Sequence, residues 1–230
     1  MPVRVKICGL TNAEDALCAV QAGADFLGFI FYPKSPRYVE PATVADILST
    51  LAAAGHTTPG VGVFVNYTVT EIQAILAQTG LRYAQLHGDE SPDQVHALAP
   101  CAFKALGAAA PARGQADASD PIAPALARGR RFHTTTHHAG PGLMVDAYDP
   151  TAYGGIGKLA DQTLAHALAR AFPHLLLAGG LTPANVSHAI QHIQPWGVDV
   201  ASGVERAPGL KDHAAVIAFI RAAQATILGQ

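Results

Sequence analysis

The chain has 230 residues, 50% of them hydrophobic, and its mean hydropathy of +0.21 allows a large core and excludes intrinsic disorder. Only 14% of residues are charged, and 15 Lys and Arg against 17 Asp and Glu leave a net charge of −2. That balance excludes the basic stripe of a nucleic-acid binder or a polybasic membrane anchor.

Met1-Pro2-Val3-Arg4-Val5-Lys6 reads as a charged strand rather than a signal peptide. No uncharged apolar run nears the roughly 18 residues that span a bilayer, and an odd set of three cysteines suggests reduced thiols. A cytoplasmic protein is expected, with no nucleic-acid or membrane partner.

In chain order, short apolar runs alternate with helical patterns. Strands are predicted at 3–8, 26–31, 60–65, 83–86, 101–106, 143–147, 175–178 and 197–200. Helices are predicted at 12–22, 42–54, 69–78, 92–97, 119–127, 163–172, 185–194 and 213–228. Thr11 or Asn12 before Glu14, Thr68 before Glu71, and Thr182-Pro183 before Asn185 are helix-start signals. Eight strand–helix units close naturally into a single-domain (β/α)8 TIM barrel covering residues 1–230.

The Ala-, Pro- and Gly-rich stretch 107–142 breaks the rhythm as an insertion between strands five and six, with room for one short helix. Because its far end leads into a strand, that end belongs at the bottom of the barrel, opposite the catalytic mouth. It carries three of the eleven histidines, His133, His137 and His138. Three threonines between the first two disfavour a helix that would align them, and no metal site is expected.

Residues at the C-terminal ends of barrel strands line the active site. Cys8 ends strand one, Arg37 follows strand two, Gln85 and His87 end strand four, and Asp146 ends strand six. Gly154-Gly155-Ile156-Gly157-Lys158 comes next, then Gly179-Gly180 after strand seven, and Asp199 with Ser202-Gly203 at strand eight. Glycines after the last two strands, with Ser202 opening a short extra helix, form a phosphate-site pattern: backbone N–H groups can approach an anion closely there. Cys8 and Asp146 are candidate base and acid. Lys6 shares the parity of Cys8 and should lie one pleat below it, where an ammonium favours thiolate. Cys18 and Cys101 read as small buried hydrophobes.

Read together, these stretches resemble the phosphoribosylanthranilate isomerase family of tryptophan biosynthesis. The resemblance rests on Lys6-Ile7-Cys8-Gly9-Leu10-Thr11, Ser35-Pro36-Arg37-Tyr38-Val39, Gly62-Val63-Phe64-Val65-Asn66 and Gln85-Leu86-His87-Gly88. Val145-Asp146-Ala147, the strand-six glycine loop, Ala178-Gly179-Gly180-Leu181 and Asp199-Val200-Ala201-Ser202-Gly203-Val204-Glu205 follow in order.

The resemblance implies an aldose–ketose isomerase without cofactor or metal, acting on a small phosphosugar as a monomer or homodimer. It implies Cys8 as general base and Asp146 as general acid. Arg37 and Asp199 are implied to contact the anthranilate end or orient the substrate, with Gln85, His87 and Gly155 completing the substrate set. Gly179, Gly180, Ser202 and Gly203 are implied to hold phosphate. Ile156, Leu159-Ala160-Asp161-Gln162 and Ala201 depart from the family's usual threonine, aromatic-rich stretch and serine. The competing readings are another phosphosugar barrel, such as an indole-glycerol-phosphate synthase or a pentose-phosphate epimerase, and a non-catalytic phosphate-binding barrel. The lysine set of the first enzyme and the metal ligands of the second are not apparent at the strand ends.

Overall fold

The structure is a computed structural model that describes residues 3–107, 122–137, 140–146 and 157–226, the side chains of 157–161 excepted. Its first half runs β1 (Arg4–Ile7), α1 (Ala13–Ala22), β2 (Phe26–Ile30), α2 (Pro41–Ala53), β3 (Gly60–Phe64), α3 (Val69–Thr79), β4 (Tyr83–Leu86) and α4 (Pro92–Ala97). The second half runs β5 (Ala102–Gly107), α5 (Ile122–Phe132), β6 (Leu143–Asp146), α6 (Gly157–Ala171), β7 (Leu175–Ala178), α7 (Val186–Ile193) and β8 (Gly197–Val200). A 3-10 turn (Ser202–Val204), the short strands β9 (Glu205–Ala207) and β10 (Leu210–Lys211), and α8 (His213–Ala225) complete it.

β1 to β8 pair in parallel in sequence order, and β8 returns to β1 in the register Arg4↔Gly197 to Ile7↔Val200. Strands buried on both faces need near-continuous apolar sequence, and β3, Gly-Val-Gly-Val-Phe, is buried throughout. One core fills the lower barrel with Phe26, Val61, Tyr83, Phe103, Met144 and Leu176, against which Trp196 packs. A larger one lies between barrel and helices and takes in Ile7, Leu27 and Phe29 of the strands with Val216, Phe219 and Ile220 of α8, and a third joins Leu106, Leu143 and Val145 to Leu168 and Phe172. Among the described residues, a filled lower barrel directs a ligand to the upper mouth.

Two of the three start signals act as expected, whereas at α7 the N-cap is Asn185, which makes no side-chain cap bond and instead accepts the Thr182 N–H. The Asn12 side chain accepts the Asp15 N–H at the head of α1, and Thr68 with Glu71 closes a capping box on α3, each interaction worth roughly 1 kcal/mol. The structure corrects three boundaries. α5 continues past the predicted end at 127 because Gly129 lies against the Phe172 ring, leaving no room for a Cβ, so packing offsets the glycine's poor helix propensity. α6 begins at Gly157, earlier than predicted, and α8 ends at Ala225. The β9–β10 hairpin was not predicted: strands of three and two residues are too short for a period to register.

Of the insertion, Gly107, which ends β5, and residues 122–137 and 140–142 are described. The Thr134 hydroxyl donates to the Ala102 carbonyl, the His137 N–H donates to the Pro100 carbonyl, and the His133 ring lies 5.4 Å from that of Phe172. These partners start β5 or precede β5 and β7, which places this end of the insertion on the bottom face. His138 lies outside the described residues. Among the described residues no helix is long and apolar enough to cross a membrane.

Candidate active site

The upper mouth holds a cavity of about 290 Å3 lined by Cys8, Gln85, His87, Asp146 and Asp199 on one side and Gly179, Gly180, Ser202 and Gly203 on the other. Ten strand-end residues were expected there with Arg37 in addition; these nine converge, and Gly155 lies outside the described residues. Arg37 stands beside the cavity rather than in its wall.

A continuous polar chain crosses the barrel below the mouth. The Lys6 ammonium, fully buried, donates to Asp199 Oδ1 and to Gln85 Oε1, both at 2.9 Å. Because an ammonium only donates, the Gln85 oxygen must face it, so the Gln85 NH2 donates to His87 Nδ1 at 2.9 Å. Neutral His87 therefore carries its proton on Nε2, which lies 3.9 Å from Asp146 Oδ2. Burial pulls the His87 pKa below its ordinary value despite the opposing Asp146 charge, favouring the neutral ring.

The same physics acts on the proposed acid and base. Burial raises Asp146, Asp199 adds to the rise, and His87 opposes it. Burial also raises Cys8, and Lys6 pulls it down without overcoming that effect. The expectation that Lys6 would bring the thiol below its ordinary value is thus corrected in sign: removing a thiolate from water costs more than one neighbouring ammonium returns. Lys6 itself is held above its ordinary value, since Asp199 and Cys8 together outweigh its own burial. Gly28 makes this packing possible, because a Cβ there would sit 2.7 Å from Cys8 Sγ and 3.0 Å from Lys6 Nζ.

On the opposite wall Gly179 and Gly180 adopt φ values of 98° and 56°, a left-handed turn that L side chains resist. Gly203 backs onto the Leu181 carbonyl so closely that any Cβ would collide with it. The backbone N–H groups of Gly179, Gly180, Ser202 and Gly203 have no acceptor among the described residues, which leaves four donors around one corner of the cavity.

A profile described as N-(5'-phosphoribosyl)anthranilate (PRA) isomerase matches residues 5–222. The chain belongs to that isomerase family. It is 43% identical over 222 residues to the N-(5'-phosphoribosyl)anthranilate isomerase of Geobacter sulfurreducens, covering 96% of this chain and 98% of that one. The crystal structure of phosphoribosyl anthranilate isomerase from Thermotoga maritima superposes with a TM-score of 0.76 at 39% identity, over 96% and 98% of the two chains. A further structure of such an isomerase, in complex with reduced 1-(o-carboxyphenylamino)-1-deoxyribulose 5-phosphate, gives a TM-score of 0.75 at 37% identity over the same shares.

In this member of the isomerase family, sequence reasoning missed two buried ion pairs at the mouth. Lys104 donates to the Leu86 and Gly88 carbonyls on either side of His87 and to Glu90 Oε2, at 3.1, 2.7 and 3.1 Å. Lys211 pairs with Glu205 at 2.9 Å, and Glu205 also binds Arg37. The available signal for the first was Lys104 between Phe103 and Ala105: a lysine inside an apolar strand is seldom buried unless paired. Lys211 sits in no periodic segment and gave no signal.

Proposed function

We infer that the chain catalyses the Amadori rearrangement of N-(5-phosphoribosyl)anthranilate to 1-(2-carboxyphenylamino)-1-deoxyribulose 5-phosphate, an aldose–ketose isomerisation in tryptophan biosynthesis. The observation that carries this reading is family membership along nearly the whole chain, joined to one cavity that holds a thiol, a carboxyl group and a corner of unpaired backbone donors.

In this reading Asp146 delivers a proton to the furanose ring oxygen, the ring opens, and the anthranilate nitrogen becomes an iminium. The iminium acidifies the adjacent sugar carbon, and the Cys8 thiolate removes its proton to give an enolamine, which tautomerises to the ketone. Asp146 must enter protonated, which its raised pKa favours. Lys6, Gln85 and His87 hold the cavity floor, and His87 presents its Nε2 proton toward the carboxylate left on Asp146. The phosphate is assigned to Gly179, Gly180, Ser202 and Gly203, and the anthranilate end to Asp199 and Arg37. Three free cysteines fit a cytoplasmic enzyme, and residues 1–230 read as one catalytic domain.

Purified protein supplied with freshly generated phosphoribosylanthranilate should convert it, and absence of turnover would overturn the reading. Millimolar inorganic phosphate should inhibit competitively if the four glycine and serine donors hold the phosphate; noncompetitive inhibition or none would move the phosphate elsewhere. Arg37→Ala should lower kcat/KM by about 10²-fold, the loss of one charged bidentate contact. An unchanged kcat/KM would remove Arg37 from substrate binding.

A further inference from the structure

Polar groups that the reaction does not itself use gather in the Glu205–Lys211 hairpin above the end of β1. The Lys211 side chain has no exposed surface, and its ammonium donates to the Cys8 carbonyl at 2.6 Å, the Ala201 carbonyl at 3.1 Å and Glu205 Oε1 at 2.9 Å. A buried ammonium is tolerated only when its protons have acceptors, so this cluster ties the backbone of Cys8 to the end of β8. The hairpin is latched to the segment after β1 from two further sides. The Thr11 hydroxyl donates to the Gly209 carbonyl at 2.6 Å, and the Lys211 N–H donates to Asp15 Oδ2 at 2.9 Å.

Glu205, with 4% of its side chain exposed, faces the other way as well. Its oxygens accept Arg37 Nε at 2.9 and 3.0 Å and Arg37 Nη2 at 2.7 Å. Arg37 and Lys211 keep it ionised, below the ordinary glutamate pKa despite its burial. The Arg37 stem crosses Gly9, where a Cβ would lie 2.7 Å from Arg37 Cδ and where φ is +76°. The arginine is thus held along both its stem and one edge of its guanidinium. Its Nη1 has no acceptor among the described residues, which leaves donors for a planar anion.

We propose that Glu205 and Lys211 are positioning residues of the isomerase: Glu205 holds the Arg37 guanidinium for the substrate carboxylate, and Lys211 holds the backbone that carries the Cys8 thiol. The proposal rests on the functional reading above. A purely architectural hairpin would cost stability when altered but would not separate KM from kcat, nor distinguish substrates by their carboxylate.

Glu205→Gln should raise KM for phosphoribosylanthranilate about tenfold and change kcat by less than about threefold, since ground-state and transition-state binding weaken together. In an Arg37→Ala background the same substitution should add less than about twofold to KM, as expected when one residue acts through the other. Phosphoribosylated aniline, which lacks the carboxylate, should be handled alike by wild type and Glu205→Gln. Lys211→Met should lower kcat about tenfold with KM little altered. If circular dichroism shows either variant unfolded, Glu205→Asp and Lys211→Gln carry the same comparisons. A wild-type KM in the Glu205 variant, an equal KM rise with and without Arg37, or an unaltered kcat in the Lys211 variant would overturn the proposal. Failure of the wild type to turn over phosphoribosylanthranilate would instead overturn the functional reading on which it rests.

Discussion

Cys8→Ala and Asp146→Asn are each expected to lower kcat by at least about 10²-fold, the lower end for a positioned base or acid. Both variants should still bind product analogues, because the glycine corner and Arg37 are untouched. The pH profile of kcat/KM should be a bell whose limbs report the free enzyme. In the proposed mechanism the productive form needs Cys8 as thiolate and Asp146 as acid, the reverse of the ordinary order of a thiol and a carboxyl group, both of which burial raises here. The acidic limb therefore belongs to Asp146 and the alkaline limb to Cys8, and the productive protonation is a minor form of the singly protonated pair.

With reference values near 8.5 and 3.9, fewer than about 1 in 10⁴ molecules would be correctly protonated. The rise in Asp146 enlarges that fraction, and the rise in Cys8 reduces it. Burial thus helps the acid and hinders the base, with Lys6 limiting the damage. Near-normal turnover by Cys8→Ala would end the assignment of the base, and a profile without an acidic limb would end that of the acid.

The second large effect is expected at Lys6. Lys6→Met removes the ammonium that neutralises buried Asp199 and orients Gln85. Breaking a buried pair by deleting one partner costs about 3–5 kcal/mol, so the urea midpoint should fall with little change in slope. Lys6 also pulls the Cys8 pKa down, so its loss should raise that value further. The alkaline limb should move to higher pH while the plateau of kcat/KM falls, because the productive form becomes rarer. An unchanged alkaline limb in a folded Lys6→Met protein would show that the ammonium does not reach the thiol.

Much of this is legible in the sequence. Strand parity placed Lys6 on the face of Cys8, and the structure has it in the barrel interior with Gln85 and Asp199. The rule that strand ends line the mouth brought together Cys8, Gln85, His87, Asp146 and Asp199 with the two glycine-bearing turns. Capping residues located the α3 start at Thr68 to the residue and the α1 start to within one, Thr11 or Asn12, of which the fold uses Asn12. The limits of the reading lie where long-range packing outweighs local preference, as at Gly129, which continues in a helix because Phe172 occupies the space a side chain would need.

The sequence by itself determined the (β/α)8 barrel, the family, and the residue types at the strand ends, because a period of two or 3.6 residues and a glycine-bearing turn are local properties of the chain. Only the tertiary structure decided that Arg37 shares its guanidinium with Glu205, that Lys211 grips the carbonyl of Cys8, and that the thiol titrates upward. Arg37 and Glu205 are 168 positions apart, and Cys8 and Lys211 are 203 apart. Pairings at such separation leave no trace in any local pattern, and a pKa depends on the water that the finished fold excludes.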